Sequence, residues 1–88
     1  MGKFGVATAS TGSVTIEPNG MAFSEVTFTV PSGRKVYGIV GVYASNRAMV
    51  VTEMAFGRLP MVDIGLFNAH ATSSITGTVE LRALIGPS

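Results

Sequence analysis

The chain has 88 residues, enough for one domain and too few for two. Hydrophobic residues make up 47% of it and charged residues only 12%, against about 25% charged in an ordinary globular domain. The net charge is +1 and the six basic residues are scattered, so there is no basic stripe for a nucleic-acid partner, and the absence of cysteine excludes a disulfide framework, a thiolate zinc site and a thiol nucleophile.

The first dozen residues, rich in Gly, Ala, Ser and Thr, read as a linker or lead-in (1–12) to a single β domain (13–88). MGKFGVATAS is too short in its apolar part for a signal peptide, and Val6 stands where a myristoylation signal needs Ser or Thr. No window places apolar residues at helical spacing behind a cap, whereas eleven glycines and many Val, Thr and Ser favour strands and turns.

Six strands are predicted. Ser13–Glu17 is the first, with Val14 and Ile16 on one face, and Pro18-Asn19-Gly20 turns the chain, since proline fixes φ and Asn-Gly accepts positive φ. Phe23–Val30 is the second, with Val26, Phe28 and Val30 inward and Glu25, Thr27 and Thr29 outward, ending at Pro31-Ser32-Gly33. Lys35–Ala44 is apolar on both faces: strict alternation points Val36, Gly38, Val40 and Val42 one way and Tyr37, Ile39, Gly41 and Tyr43 the other. Beyond the Ser45-Asn46-Arg47 tip come Ala48–Phe56, a break at Gly57–Pro60, Met61–Ala69, a polar loop at Ala71–Ser74, and Thr76–Ile85, with Val79, Leu81, Ala83 and Ile85 on one face. Short strands joined by short turns predict an all-β fold, a small antiparallel six-stranded β-sandwich or barrel.

One core cannot cover two apolar faces per strand. A chain this size buries only about 60–65% of its unfolded surface when folded alone. Alternation leaves Tyr37, Ile39, Tyr43, Met49, Val51 and Phe67 as surplus apolar surface, and patches of that extent mark interfaces. Another copy of the same chain around a symmetry axis is the simplest cover, so these six are the expected oligomer interface; the alternative is a lone barrel with an apolar surface.

The runs GSVTIEP, SEVTFTVPSG, KVYGIVGVYAS and TGTVELRALIG, spanning Gly12 to Gly86, resemble the six-stranded H-type-lectin-like domains at the ends of bacteriophage tail fibres and related tail proteins. Val26-Thr27-Phe28 with Pro31, and the closing Ala83-Leu84-Ile85-Gly86, match best. The resemblance implies a β-sandwich, trimerisation, and a virion location at a fibre or baseplate tip that touches the host surface. That family commonly has Trp in its last strand; this chain has none, and Arg82 stands near that position, so no sugar-binding residue is carried over.

Candidate ligand contacts come from residue chemistry. His70, beside Asn68 and before Thr72-Ser73-Ser74, is the only histidine, and Asn, His and hydroxyls hydrogen-bond sugar hydroxyls well. Asn46 and Arg47 form a polar tip between two apolar strands, which reads equally as a receptor-contacting loop or a plain turn. Tyr37 and Tyr43 have rings that stack on sugars, although on such a strand packing is the commoner use. Glu53 and Asp63 make a carboxylate pair of the glycosidase type, but Arg47 and Arg58 nearby favour ordinary ion pairs. Ser73, His70 and Asp63 lack a nucleophile elbow, and one histidine with dispersed carboxylates makes no metal site. With no apolar run near the ~20 residues of a membrane span, membrane insertion is not expected. The expected role is therefore attachment to a host cell-surface glycan through a trimer, without cofactor or catalysis. The alternative is a structural trimerisation, capping or capsid-decoration domain.

Overall fold

The computed structural model describes residues 3–88. These form eight strands and no helix: β1 (Gly5–Ser10), β2 (Val14–Ile16), β3 (Met21–Thr27), β4 (Arg34–Ala44), β5 (Met49–Arg58), β6 (Met61–Asn68), β7 (Ile75–Gly77) and β8 (Val79–Pro87). One sheet has the order β1-β8-β4, a second β3-β6-β5, and a small pair joins β2 to β7; every pairing is antiparallel. The all-β antiparallel expectation holds, in the sandwich form.

Two differences raise the strand count from six to eight. The stretch 1–12 is not merely a lead-in, because Gly5–Ser10 pairs with β8 from Gly5↔Ile85 to Ser10↔Glu80. Its small residues read as linker in isolation, but Ala7 and Ala9 alternate inward and pack against the core. The initial Met-Gly of that stretch, on which the signal readings also fell, lies outside the described residues. The last predicted strand divides at Thr78: Ile75–Gly77 pairs with β2, and Val79–Pro87 pairs with β1 and β4.

The turns obey their chemistry. Gly20 N–H donates to the Glu17 carbonyl at 2.9 Å, and Asn19 takes a φ of 54° between them. That places proline and a positive-φ residue at the two central positions of a type II turn. At Ser32-Gly33, Arg34 N–H donates to the Pro31 carbonyl at 3.1 Å, and Gly33 takes a φ of 80°.

The core lies between the two three-stranded sheets. Val79, Leu81, Ala83 and Ile85 of β8 face Val62, Ile64 and Leu66 of β6, with Val26 and Phe28 beside them, all buried. Burying each large aliphatic or aromatic side chain contributes about 1.5–3 kcal/mol. β8 and β6 are central strands with a partner on both sides, whereas β4 and β5 are edges. The body measures 53 × 21 × 16 Å.

Strict alternation fails on both of these edge strands, for a physical reason. β4 changes register between Val36 and Gly38 and again between Ile39 and Gly41, leaving Tyr37 and Val40 out of the ladder. Each bulge inserts one residue and reverses the facing of the residues beyond it. Val36 is therefore buried and Ile39 packs against the core, whereas Tyr37 and Val40, left out of the ladder, are exposed; Val42, in register with buried Leu81, faces the inner side but stays exposed at the open edge. A bulge at Thr52 does the same on β5, so Met49 is buried and Val51 and Met54 both pack inward. Of the six expected interface residues, Met49 belongs to the core, Ile39 and Val51 lie against it, Phe67 is half-buried on the outer face of β6, and Tyr37 and Tyr43 are open to solvent.

Candidate functional site

Antiparallel connectivity brings alternate loops to the same end of the sandwich. At one pole the Lys3 carbonyl accepts from the Arg34 guanidinium, and Ser88 N–H donates to the Gly33 carbonyl at 3.0 Å. Both ends of the described chain therefore meet at that pole. The opposite pole gathers the β2–β3 turn, the Ser45–Ala48 tip and the Ala69–Ser74 loop, carried by β2 and β7.

Hydrogen bonds knit that second pole into a cap. Ser45 N–H donates to the Thr78 carbonyl at 2.9 Å, and Thr78 N–H returns to Ser45 Oγ at 2.8 Å. Gly77 lies so close beneath that a Cβ there would stand 2.8 Å from Ser45 Oγ, which fixes why this position has no side chain. Asn46 Oδ1 accepts from Ala48 N–H at 2.9 Å, an Asx turn that orders the tip. Ala69 N–H donates to the Ala48 carbonyl at 2.8 Å, setting Arg47 and His70 just beyond that link on neighbouring loops. Thr15 and Thr76 join their hydroxyls at 2.8 Å across the β2–β7 pair.

The four expected ligand residues thus come to one pole but divide by role. Arg47 and His70 are exposed, and Arg47 makes no ion pair among the described residues. Asn46 is half-buried with its oxygen engaged by the turn. Asn68 is no surface residue: it is fully buried on the inner face of β6. Its amide nitrogen reaches the carbonyls of Ile16 at 3.0 Å, Glu17 at 3.1 Å and Ser73 at 2.9 Å, and its oxygen accepts from His70 N–H at 2.8 Å. It pins two cap loops to the core, as a buried amide must when every polar atom needs a partner. The signal overlooked in the sequence was its register. Position 68 continues the inward series Val62, Ile64, Leu66 with a period of two. Thr72, Ser73 and Ser74, noted only as neighbours of His70, stand exposed at the same pole.

The other candidates lie elsewhere. Glu53 and Asp63 occupy the open outer face of the β3-β6-β5 sheet, in a shallow depression with Glu25 and Phe23. Arg58 holds Asp63 with two hydrogen bonds, at 3.2 and 2.5 Å, and Glu25 with one at 2.9 Å. The hydrogen bonds to Asp63, its charge, and the bond to Glu25 together raise the Arg58 pKa, so the guanidinium stays charged. The carboxylate is thereby used as an ion-pair partner. On the outer face of the other sheet, Tyr43 lies over Gly41 with the Arg82 guanidinium 4.6 Å from its ring centroid, and Phe4 meets Tyr37 edge to face at 5.0 Å above Gly86.

The third surface feature is a groove of about 800 Å³ along the open side of the sandwich, between the edges of β4 and β5. Val36, Ile39, Val40, Val42, Met54 and Phe56 line it with Leu59, and none of its lining side chains is charged. No known family, curated protein or solved structure matches this chain.

Proposed function

We propose that the chain is a receptor-binding tip domain of a bacteriophage tail fibre or related tail protein, sitting on the virion and attaching to host cell-surface saccharide as a homotrimer. The observation that carries this reading is the position of the polar cap. Arg47, His70 and the hydroxyls of Thr72, Ser73 and Ser74 are exposed at the pole opposite both described chain ends, where a tethered domain first meets a surface. Such a cap offers hydrogen bonds without a deep pocket, so each site binds weakly. Three parallel sites raise avidity by about 10²–10⁴, provided their spacing matches the surface.

Glycan-array and whole-cell binding by the wild type and the Arg47→Ala/His70→Ala double variant test the proposal. The expected result is wild-type binding that falls at least about tenfold in the double variant, the loss of about 1.4 kcal/mol or more of polar contact. Binding that survives both substitutions removes the cap as the site. A second reading, a structural trimerisation, capping or capsid-decoration domain without ligand, draws on a specific observation: two of the cap's amides, Asn46 and Asn68, are engaged in holding loops. Under that reading the wild type binds no glycan.

A further inference from the structure

We propose that the two outer faces of the sandwich bind each other between copies of this chain, the β3-β6-β5 face of one copy against the β1-β8-β4 face of the next, with all caps at the same pole. This inference rests on the assembly part of the reading above and assigns its surfaces.

Charge is sorted between the two faces. A Cβ on Gly65, which points outward between the inward Ile64 and Leu66, would stand 2.8 Å from Glu53 Cγ, so Glu53 lies over the outer face of its sheet. Glu25 and Asp63 share that face with Arg58, which makes three acids against one base, a net of −2. The outer face of the other sheet carries Lys35 and Arg82 against Glu80, two bases and one acid, a net of +1. Lys3 and Arg34 add two more positive charges at the end of that sheet where the chain ends meet. Glu17 and Arg47 cancel at the cap, so the chain's net charge of +1 hides an acidic face opposite a basic one.

Both faces also carry bare rings. Phe23 stands 72% exposed beside the acids, and Phe4, Tyr37 and Tyr43 are exposed among the bases. Lys35 Nζ lies 5.1 Å from the Tyr37 ring centroid, and the Arg82 guanidinium lies 4.6 Å from that of Tyr43. Aromatic anchors bordered by charge of one sign suit a partner whose anchors are bordered by the other. A basic partner fits only the acidic face, and an acidic partner only the basic one. A copy of this chain satisfies both, one face toward each neighbour, in a head-to-tail contact.

The order of charges along the strands sets the polarity. From the cap outward, the acidic face runs from apolar Met21, Phe67 and Val50 through Glu53 to Glu25 and Asp63. The basic face runs from Tyr43 through Arg82 to Lys35. Copies pointing the same way set Glu53 toward Arg82, and Glu25 with Asp63 toward Lys35. Copies pointing opposite ways set Lys35 against the apolar row instead. The parallel arrangement also puts every polar cap at one pole, as multivalent attachment requires.

Reversing one charge on each face tests the contact. Lys35 and Glu53 are exposed and make no ion pair among the described residues, so Lys35→Glu and Glu53→Lys leave the fold intact, with far-UV circular dichroism as the check. Sedimentation velocity is run at about 50 μM protein in about 0.05 M salt, where screening is weak. The wild type is expected to assemble, and each variant alone to bind at least about a hundredfold more weakly and sediment as monomer. An equimolar mixture is expected at dimer mass, because the Lys35→Glu copy keeps its acidic face and the Glu53→Lys copy keeps its basic one. Salt of about 1 M is expected to return the wild type to monomer mass. Wild type at a fixed trimer mass bears out the trimer reading along with the contact, whereas mass growing beyond three copies keeps the contact and removes the trimer. Wild type at monomer mass in low salt overturns both. Variants that assemble as the wild type does, or a mixture that stays monomeric, overturn the contact alone. If either variant loses its fold, wild-type mass unchanged in high salt overturns it.

Discussion

β8 and β4 are neighbours in one sheet and similarly apolar, yet they end in opposite environments. Val79, Leu81 and Ala83 of β8 are fully buried, whereas Val40 and Val42 of β4 are 58% and 39% exposed. Hydrophobicity does not separate them; pairing does. β8 lies between β1 and β4, with an unbroken register to β1, so its side chains alternate without interruption. β4 has a partner on one side only, so Val42, in register with Leu81, stays open at that edge, and its two bulges put Val40 outside the ladder. The same contrast holds in the facing sheet between β6 and β5. On these edge strands Val36 and Met49 still reach the core, while Val40 and Val42 stay exposed and become available to another chain.

The largest effect that can break this comparison is a truncation on each side of it. Leu81→Ala empties a fully buried site on β8 and is expected to lower stability by about 3 kcal/mol, or more than about 10 °C in Tm. Val40→Ala, measured by urea denaturation at concentrations too low for association, is expected to change stability by less than about 0.5 kcal/mol. Equal losses at the two sites would show that the outer part of β4 is core after all, and would remove the surplus on which assembly rests.

A polar pair two residues apart sharpens the contrast further. Asn68 closes the inner face of β6, and His70 stands in solvent on the loop that Asn68 holds. Asn68→Ala leaves the Ile16 and Ser73 carbonyls and the His70 N–H without their partner, and is expected to cost about 2 kcal/mol in thermal or urea denaturation. Changing His70 alone to Ala is expected to leave stability unchanged. A stable Asn68→Ala protein would mean that the cap loops are ordered by something other than this amide, and would restore Asn68 as a candidate ligand residue.

The sequence carried the central strands well and the edges poorly. The inward series of β8 was legible because nothing interrupts its period of two, and Val26 with Phe28 was legible for the same reason. The facing of Ile39 and Met54 was not, since a bulge is set by how two strands meet and leaves no mark of its own in the sequence. β1 was missed because Gly5–Ser10 has little hydrophobicity of its own and is held by six register positions against β8. At the cap, residue types indicated which side chains can bond a sugar. They did not indicate which are consumed in holding loops; that emerges only when Asn68 is placed in register with Leu66.

The smallest effect concerns what holds β5, the edge strand that carries half of the groove. Beyond its backbone ladder with β6, its side-chain polar tie to the rest of its sheet is Arg58, bridging Asp63 of β6 and Glu25 of β3. All three side chains are exposed by a third or more, where water screens the attraction and ordering long side chains offsets it. The hydrogen bonds and charge of Asp63, with Glu25 behind them, raise the Arg58 pKa in the folded protein. A raised basic group contributes stability that is fully present below its unfolded pKa and is lost only as pH rises beyond the ordinary arginine range. This residue therefore adds no pH dependence at any pH of practical interest. Arg58→Ala is expected to leave Tm unchanged within error at physiological salt, with Met49, Val51 and Met54 still holding β5 to the core. A marked fall in Tm that disappears in high salt would instead mean that charge fastens this edge, and the contrast between paired centre and apolar edge would have to be redrawn for the β5 side of the groove.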